Sequence, residues 1–387
     1  MVRLACRIYP RPQPPPAHRR YPCPGHLKCS ISQGHFPKPP YRLPAPQLEA
    51  LEFVGVIDTL ATSELESLLL SYPEGLTQLS IRFFGISNGL LEAIAAWPRL
   101  RYLTLQIGFK SMPLHAPQPF QALTDLHMSC EDLSLFTSLL CSIQRTDPNT
   151  SICPNLKRTY IITRRCSPAS IWLGLLALLT RTKLEHILIV DYDRVSCHAG
   201  PSSIELRPFL ACPTALADIK TLLISPTHNM TIILTDTDVY TLARACTRLY
   251  SINLGNHNTP VSLGALGYIV RRCRELCEVS LCVDALGTAP LDDDEQVRPQ
   301  PNRRLMKLDI GESPIACVGP LDPLTAPDLM MSIPRFLHMI APRLAELEIS
   351  LGLYFEWTRQ TEMETRNDME RWEKVEDALS ELAQEDG

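Results

Sequence analysis

Apolar positions return along the chain in one phrase: an apolar residue, two variable ones, a second apolar residue, one variable residue and a third apolar one. Trp97–Leu105 reads "WPRLRYLTL", and "PQLEALEF" from Pro46, "TKLEHILI" from Thr182, "TRLYSINL" from Thr247, "NRRLMKLDI" from Asn302 and "PRLAELEI" from Pro342 share its skeleton. Copies begin at Leu48, Leu76, Leu100, Leu123, Leu156, Leu184, Ile219, Leu249, Leu276, Leu305 and Leu344, with Thr159 the weakest match. The fourth and sixth places alternate with polar ones, the period of a strand with one buried face. Between the copies lie helix-period segments: "SELESLLLSYP", "GLLEAIAAWP", "LSLFTSLLCSIQ", "SIWLGLLALLTRT", "DVYTLARACT", "LGALGYIVRRCR" and "SIPRFLHMIAP".

Successive copies lie 23 to 39 residues apart, close to or a little beyond the spacing of leucine-rich repeats, and insertions into loops account for the irregularity. One strand and one helix cannot cover their own apolar faces, so neighbouring units must stack. The predicted fold is an α/β repeat: a leucine-rich-repeat solenoid of about eleven copies over residues 47–356, with a parallel concave sheet and outer helices. Residues 1–46 contrast with it, being rich in proline with eight Lys or Arg and no acidic residue. Repeated proline disfavours regular structure, so a disordered basic arm is expected there. "GTAPLDDDEQVRPQPNR", residues 287–303, reads as an exposed acidic loop. Residues 357–387 carry ten acidic and four basic side chains from Arg359 on, and Trp372, Val375 and Leu379 recur at helical spacing. One amphipathic helix capping the last repeat is the expectation.

A net charge of −5 gives no basic excess that would favour nucleic acid. The longest apolar run, Ile171–Leu179, is too short to cross a bilayer. Fourteen cysteines are spread through the chain with no cleavable apolar segment before them. Several occupy core positions, which favours a reducing cytoplasmic or nuclear compartment over a disulfide framework. The sequons at Asn149 and Asn229 then carry no meaning.

Four stretches invite chemistry, and each has a simpler structural explanation. "GISNG", Gly85–Gly89, matches the G-x-S-x-G elbow with Ser87 as nucleophile, yet no HGGG-like stretch precedes it, and a turn capping the next helix uses the same residues. A serine hydrolase using Ser87 stays the least favoured alternative. "CPGHLKC" with His35 offers Cys and His ligands, but its cysteines are too far apart for a paired zinc site. Cys153, Cys246 and Cys273 each stand three residues before a first leucine, where stacked small core residues are expected. Asp292–Glu295 lacks the glycine spacing of a cation loop. No metal or cofactor is expected.

The third and fifth places of the copies face outward from the sheet and carry the binding argument. Tyr102, His127, Arg158, Tyr160 and His186 stand in the first half, and Asn253, Glu278 and Asp309 in the second. Solenoids dock partners on such surfaces, and Tyr and Arg are frequent anchors.

"LRPFLACPTALADIKTLLI" (Leu206–Ile224), "DTDVYTLARACTRLYSINLG" (Asp236–Gly255), "VSLGALGYIVRRCRELCEVSLCVDA" (Val261–Ala285), "RRLMKLDIGESPI" (Arg303–Ile315) and "RWEKVEDALSEL" (Arg371–Leu382) resemble the repeat region of fungal F-box-type leucine-rich-repeat proteins. The likeness spans about residues 46–387. It implies a substrate receptor, in which an F-box grips the adaptor subunit of a cullin-type ubiquitin ligase while the repeats hold the protein to be ubiquitinated. No F-box is evident before Leu48, where "RLPAPQLEAL" runs straight into the first repeat. The expectation is therefore a non-enzymatic, protein-binding scaffold, receptor-like without its ligase handle, with a ligase-independent interaction module as the alternative.

Overall fold

The computed structural model describes residues 6–8, 25–31, 48–55, 66–67, 69–70, 76–82, 86–108, 119–144, 155–191, 202–227, 229–255, 257–285, 300–311, 313–315, 326–348 and 359–385. The acidic loop at Asp292–Glu295, Cys23, His35, Cys153 and Asn149 lie outside them. The chain divides into two units, Met1–Ser167 with Arg181–Lys183, and Pro168–Thr180 with Leu184–Gly387.

In the first unit β1 (Cys6–Ile8), β2 (Gly25–Ile31), β3 (Leu48–Gly55), β4 (Gln78–Arg82), β5 (Tyr102–Gln106), β6 (Asp125–Cys130) and β7 (Arg158–Thr163) lie side by side in chain order. From β2 to β7 every pair is parallel, and β1 runs antiparallel to β2. The register is that of the repeated phrase: Leu51 pairs with Leu79, Leu79 with Leu103, Leu103 with Leu126 and Leu126 with Thr159. A one-residue slip would turn every leucine to water, so the alternation itself fixes the pairing. Side chains at the fourth and sixth places, from Leu51 and Phe53 to Thr159 and Ile161, are at most 2 % exposed.

Helices α1 (Asn88–Ala95) and α2 (Leu133–Gln144) link strands of this sheet. Ser87 is the N-cap of α1, its Oγ accepting from the Leu90 amide at 3.1 Å. The α2 amide of Leu133 donates to Ser167 Oγ at 3.0 Å. β1 and β2 fall inside the proline-rich arm, where composition predicts no regular structure. Neither contains proline, and "GHLKCSI" alternates apolar and polar residues, a local strand pattern that the average over 46 residues conceals.

The second unit repeats the scheme with α3 (Ala169–Leu179), β8 (His186–Asp191), β9 (Ser202–Glu205), α4 (Arg207–Leu210), α5 (Pro213–Leu216), β10 (Thr221–Ser225), β11 (Met230–Ile233), α6 (Asp236–Ala245), β12 (Ser251–Gly255), β13 (Val261–Ser262), α7 (Leu263–Arg272), β14 (Glu278–Leu281), β15 (Val283–Asp284), β16 (Lys307–Asp309), α8 (Ala326–Ile340), β17 (Glu346–Glu348) and α9 (Arg359–Glu385). Strands β8, β10, β12, β14, β16 and β17 pair in parallel, with Ile187, Leu222, Ile252, Val279, Leu308 and Leu347 in one buried row. The short parallel pairs β9–β11 and β13–β15 tie the loops that leave these strands. A Cβ on Gly267 would come within 2.8 Å of Phe336 Cζ, so the ring from α8 packs onto the open glycine of α7 and would have to shift for any larger residue.

The turns into β10, β12, β14 and β17 are built alike. The amides of Ile219, Leu249, Leu276 and Leu344 donate to the carbonyl three residues back. That earlier position carries a ladder in the second unit: Cys246 Sγ lies 3.2 Å from the Leu216 carbonyl, and Cys273 Sγ lies 3.4 Å from the Cys246 carbonyl. Asn302 continues it, its amide nitrogen reaching the carbonyls of Val270, Cys273 and Leu276 at 3.0 to 3.2 Å. The Val270 carbonyl is left open by the end of α7, and the Cys273 carbonyl also accepts from the Leu276 amide. α9 closes the array against α8, and Trp372, 1 % exposed, donates its indole N–H to the Ser313 carbonyl at 2.9 Å. Both units have the α/β leucine-rich-repeat fold.

Cys130, Cys246, Cys273 and Cys282 are buried thiols. Cys166 departs from the all-thiol expectation, being disulfide-bonded. No helix among the described residues is long and apolar enough to cross a membrane.

Candidate protein-binding face

Parallel pairing converts the third and fifth places of the phrase into two rows of side chains on the face opposite the core. In the first unit the third-place row runs Ala50, Gln78, Tyr102, Asp125, Arg158, and the fifth-place row Glu52, Ser80, Thr104, His127, Tyr160. Tyr102 stands 46 % exposed. Next to it in the row, Asp125 is nearly buried, accepting from Thr124 Oγ1 at 2.7 Å and pairing with Arg158 Nη1 at 3.2 Å. The carboxylate thus anchors one end of a guanidinium whose side chain is 58 % exposed. His127 and Tyr160 are cross-strand partners, with ring centroids 5.4 Å apart and planes tilted by 57°.

Beside Tyr102 the small side chains of Ala50 and Ser80 leave a hollow of about 120 Å³, lined also by Glu52, Gln78, Arg82 and Thr104. Arg82 crosses it, with Nε 3.4 Å from Ser80 Oγ and 3.7 Å from Glu52 Oε1. Tyr102, His127, Arg158 and Tyr160, all read from the sequence, therefore occupy adjacent strands on one face. The hollow escapes the sequence reading because its residues are small or ordinary, and only the register puts them together.

In the second unit the third-place row is His186, Thr221, Ser251, Glu278, Lys307, Glu346, and the fifth-place row Leu188, Leu223, Asn253, Ser280, Asp309, Glu348. Hydrogen bonds cross the strands along both rows. His186 Nδ1 lies 3.0 Å from Thr221 Oγ1, Ser251 Oγ donates to Glu278 at 3.3 Å, and Ser280 Oγ donates to Asp309 at 2.9 Å. Asn253 is half-buried beside Gly255, whose φ of +56° accompanies a register shift between β12 and β14. At the last strands Lys307 Nζ lies 2.6 Å from Glu348 and 3.8 Å from Glu346. The hydrogen bond to Glu348 holds the ammonium above its ordinary pKa, and the charges of Glu348, Glu346 and Asp309 add to it. The sequence reading picks out acidic residues alone at this end of the sheet, and Lys307 is the cation that stands among them.

The second place of each phrase also reaches the surface. Tyr250 is 48 % and Met306 58 % exposed, and the half-buried Cys277 stands between them. The Cys277 thiol raises the pKa of the Tyr250 phenol, and the nearby Glu278 carboxylate adds to the shift. Sequence reasoning passes over these residues because it reads only the strict strand alternation beyond them.

The Ser87 hydroxyl is occupied as a helix cap. Among the described residues no group of three or more His, Cys, Asp or Glu side chains could hold a metal ion. The outward faces offer hydrogen-bonding rows, exposed aromatic rings and local charge.

No protein-family model matches the chain, and no curated protein matches it. Among solved structures it is similar to a chain in the crystal structure of a TLR13–ssRNA13 complex, at 12 % identity and a TM-score of 0.25. The match covers 84 % of this chain and 55 % of that one, so the chain spans about half the length of this neighbour. The repeat assignment rests on the strand register, which gives the chain an α/β leucine-rich-repeat fold.

Proposed function

We propose that the chain is a non-enzymatic scaffold that binds a protein on the outward face of its repeat sheet, and that it does so as a receptor-like component of a cullin-type ubiquitin ligase. One observation carries the binding half. Tyr102 stands 46 % exposed in a row with Arg158, while its own backbone is locked in the sheet. An exposed aromatic on a fixed backbone, one strand removed from an anchored guanidinium, resembles the anchors of protein interfaces, since the backbone has little freedom left to lose on docking.

The ligase half is supported by the resemblance of Leu206–Leu382 to F-box-type repeat proteins. A receptor performs no chemistry, and it raises the local concentration of its target at the ligase. Co-expression of the full chain with the ligase adaptor, followed by size exclusion, tests this half. Co-elution supports the receptor reading, and separate elution of a folded chain leaves a ligase-independent interaction module. For the binding half, Tyr102→Ala combined with His127→Ala is expected to deplete a set of partners retained by the unaltered chain in quantitative affinity capture. Unchanged capture by the well-folded variant contradicts it.

A further inference from the structure

The second places of four successive phrases form an apolar stripe across the strands of the second unit. Tyr250, Cys277, Met306 and Ala345 are joined rung to rung: the Cys277 amide donates to the Tyr250 carbonyl at 2.8 Å, the Met306 amide to the Cys277 carbonyl at 3.0 Å, and the Ala345 amide to the Met306 carbonyl at 3.0 Å. Tyr250, Met306 and Ala345 are exposed and Cys277 half-buried. The two preceding rungs, Glu185 and Lys220, close that end with an ion pair at 2.5 Å.

Charge is sorted on the two sides of this stripe. On the turn side, the exposed Arg248, Arg304 and Arg343 each directly precede a first-place leucine and make no ion pair with a described residue, while the exposed Glu275 holds the same place before Leu276 as the one carboxylate of that row. On the strand side stand Glu278, Asp309, Glu346 and Glu348, against Lys307 as the one cation in those rungs of the two rows. Glu278 has a hydroxyl partner, Ser251, and no cation among the described residues.

We propose that this stripe seats an amphipathic helix of a partner protein, laid across the strands, with carboxylates along one flank of its apolar side and Lys or Arg along the other. The proposal rests on the reading of the chain as a protein-binding scaffold and names the chemistry of the occupant. Geometry favours a helix. The rungs repeat at about 4.8 Å, close to the roughly 5.4 Å pitch at which a helix returns its apolar side chains. Backbone groups beneath the stripe are consumed in strand pairing, so an added β-strand would find no donors or acceptors there. The sorting of charge favours a partner with both signs over a purely basic segment: three arginines against one carboxylate, Glu275, face one flank and a carboxylate-rich row the other.

The test uses fluorescence anisotropy of the full chain with labelled 18-residue synthetic helices. One carries a Leu/Met stripe with Glu on one flank and Lys on the other, a second has Lys on both flanks, and a third has Ser in place of the stripe. The Glu/Lys helix is expected to bind at least tenfold tighter than the other two, and Met306→Ser or Tyr250→Ser in the protein to weaken it by a similar factor. Reversing the turn side with Arg248→Glu, Arg304→Glu and Arg343→Glu is expected to switch the preference to the all-Lys helix. Equal or tighter binding of the all-Lys helix by the unaltered chain would show that the carboxylates act alone and overturn the proposal, as would absence of binding or indifference to Met306→Ser. A dimer that dissociates on Met306→Ser would replace the partner helix with a second copy of this chain. Partner contacts at Tyr102, in the other unit, are read independently, so this proposal can fail while the scaffold reading stands.

Discussion

The Cys273 thiol lies 3.4 Å from the carbonyl oxygen of Cys246, which holds the same place in the phrase 27 residues earlier. Two thiols in one buried column tie the stability of the second unit to alkaline pH. Burial is the first cause that pushes both up to about 12 from an ordinary 9.0, with the Cys273 charge adding at Cys246 and Arg272 opposing at Cys273. Between these values the unfolded chain has released protons that the folded chain still holds, so folding is progressively disfavoured. The contribution is complete below about pH 9 and is lost as pH rises toward 12. Urea unfolding free energies measured from about pH 8 to 10.5 should fall more steeply for the native chain than for Cys246→Ala with Cys273→Ala. Parallel slopes would contradict the assignment.

Thr159 occupies a core place in β7 with its hydroxyl buried and without a hydrogen-bond partner among the described residues. Val has nearly the same shape and nothing to satisfy. Thr159→Val should therefore raise stability by about 1 kcal/mol, read as a higher denaturant midpoint with an unchanged slope. A lower midpoint would mean that the hydroxyl is satisfied in solution.

Asn302 is 3 % exposed and serves three carbonyls while its own Oδ1 accepts from the Arg304 amide at 2.8 Å. Asn302→Ala strips all of these at once and removes this donor from the Val270 and Leu276 carbonyls, while the Cys273 carbonyl keeps the Leu276 amide, at a cost of about 2–4 kcal/mol. A loss under about 0.5 kcal/mol would show that the column does not hold the turn.

Ser87 separates a cap from a nucleophile. As a cap, its removal in Ser87→Ala should cost about 1 kcal/mol, and Ser87→Asp should restore most of it. A fluorophosphonate probe should leave the native chain unlabelled, and labelling at Ser87 would reinstate the hydrolase alternative.

Much of the fold was legible in the sequence. The strands follow the phrase because alternation with a two-residue period has one buried solution, and the copies from Leu48 to Leu344 repeat the same argument. Tyr102, His127, Arg158 and Tyr160 could be read as neighbours because equal places in equal phrases must stack. Asn302 could have been found by the same rule, standing three residues before Leu305 where Cys246 and Cys273 precede their leucines. The short helices α4 and α5 were hidden by Pro208 and Pro213, which read as breakers although proline suits a first helical turn. β2 was hidden by the prolines around it. The stripe of Tyr250, Cys277, Met306 and Ala345 lies outside the alternating places, and its exposure depends on how the turn enters the strand.

The central claim is that the outward rows of the sheet, not the helices, hold the partner. It is tested most directly by placing a photo-crosslinking benzoylphenylalanine at Tyr102 and, separately, at Leu173, which is 39 % exposed on α3. Irradiation in cells should give a discrete protein adduct from Tyr102 and none from Leu173. The same adduct from both positions, or from Leu173 alone, would contradict the account.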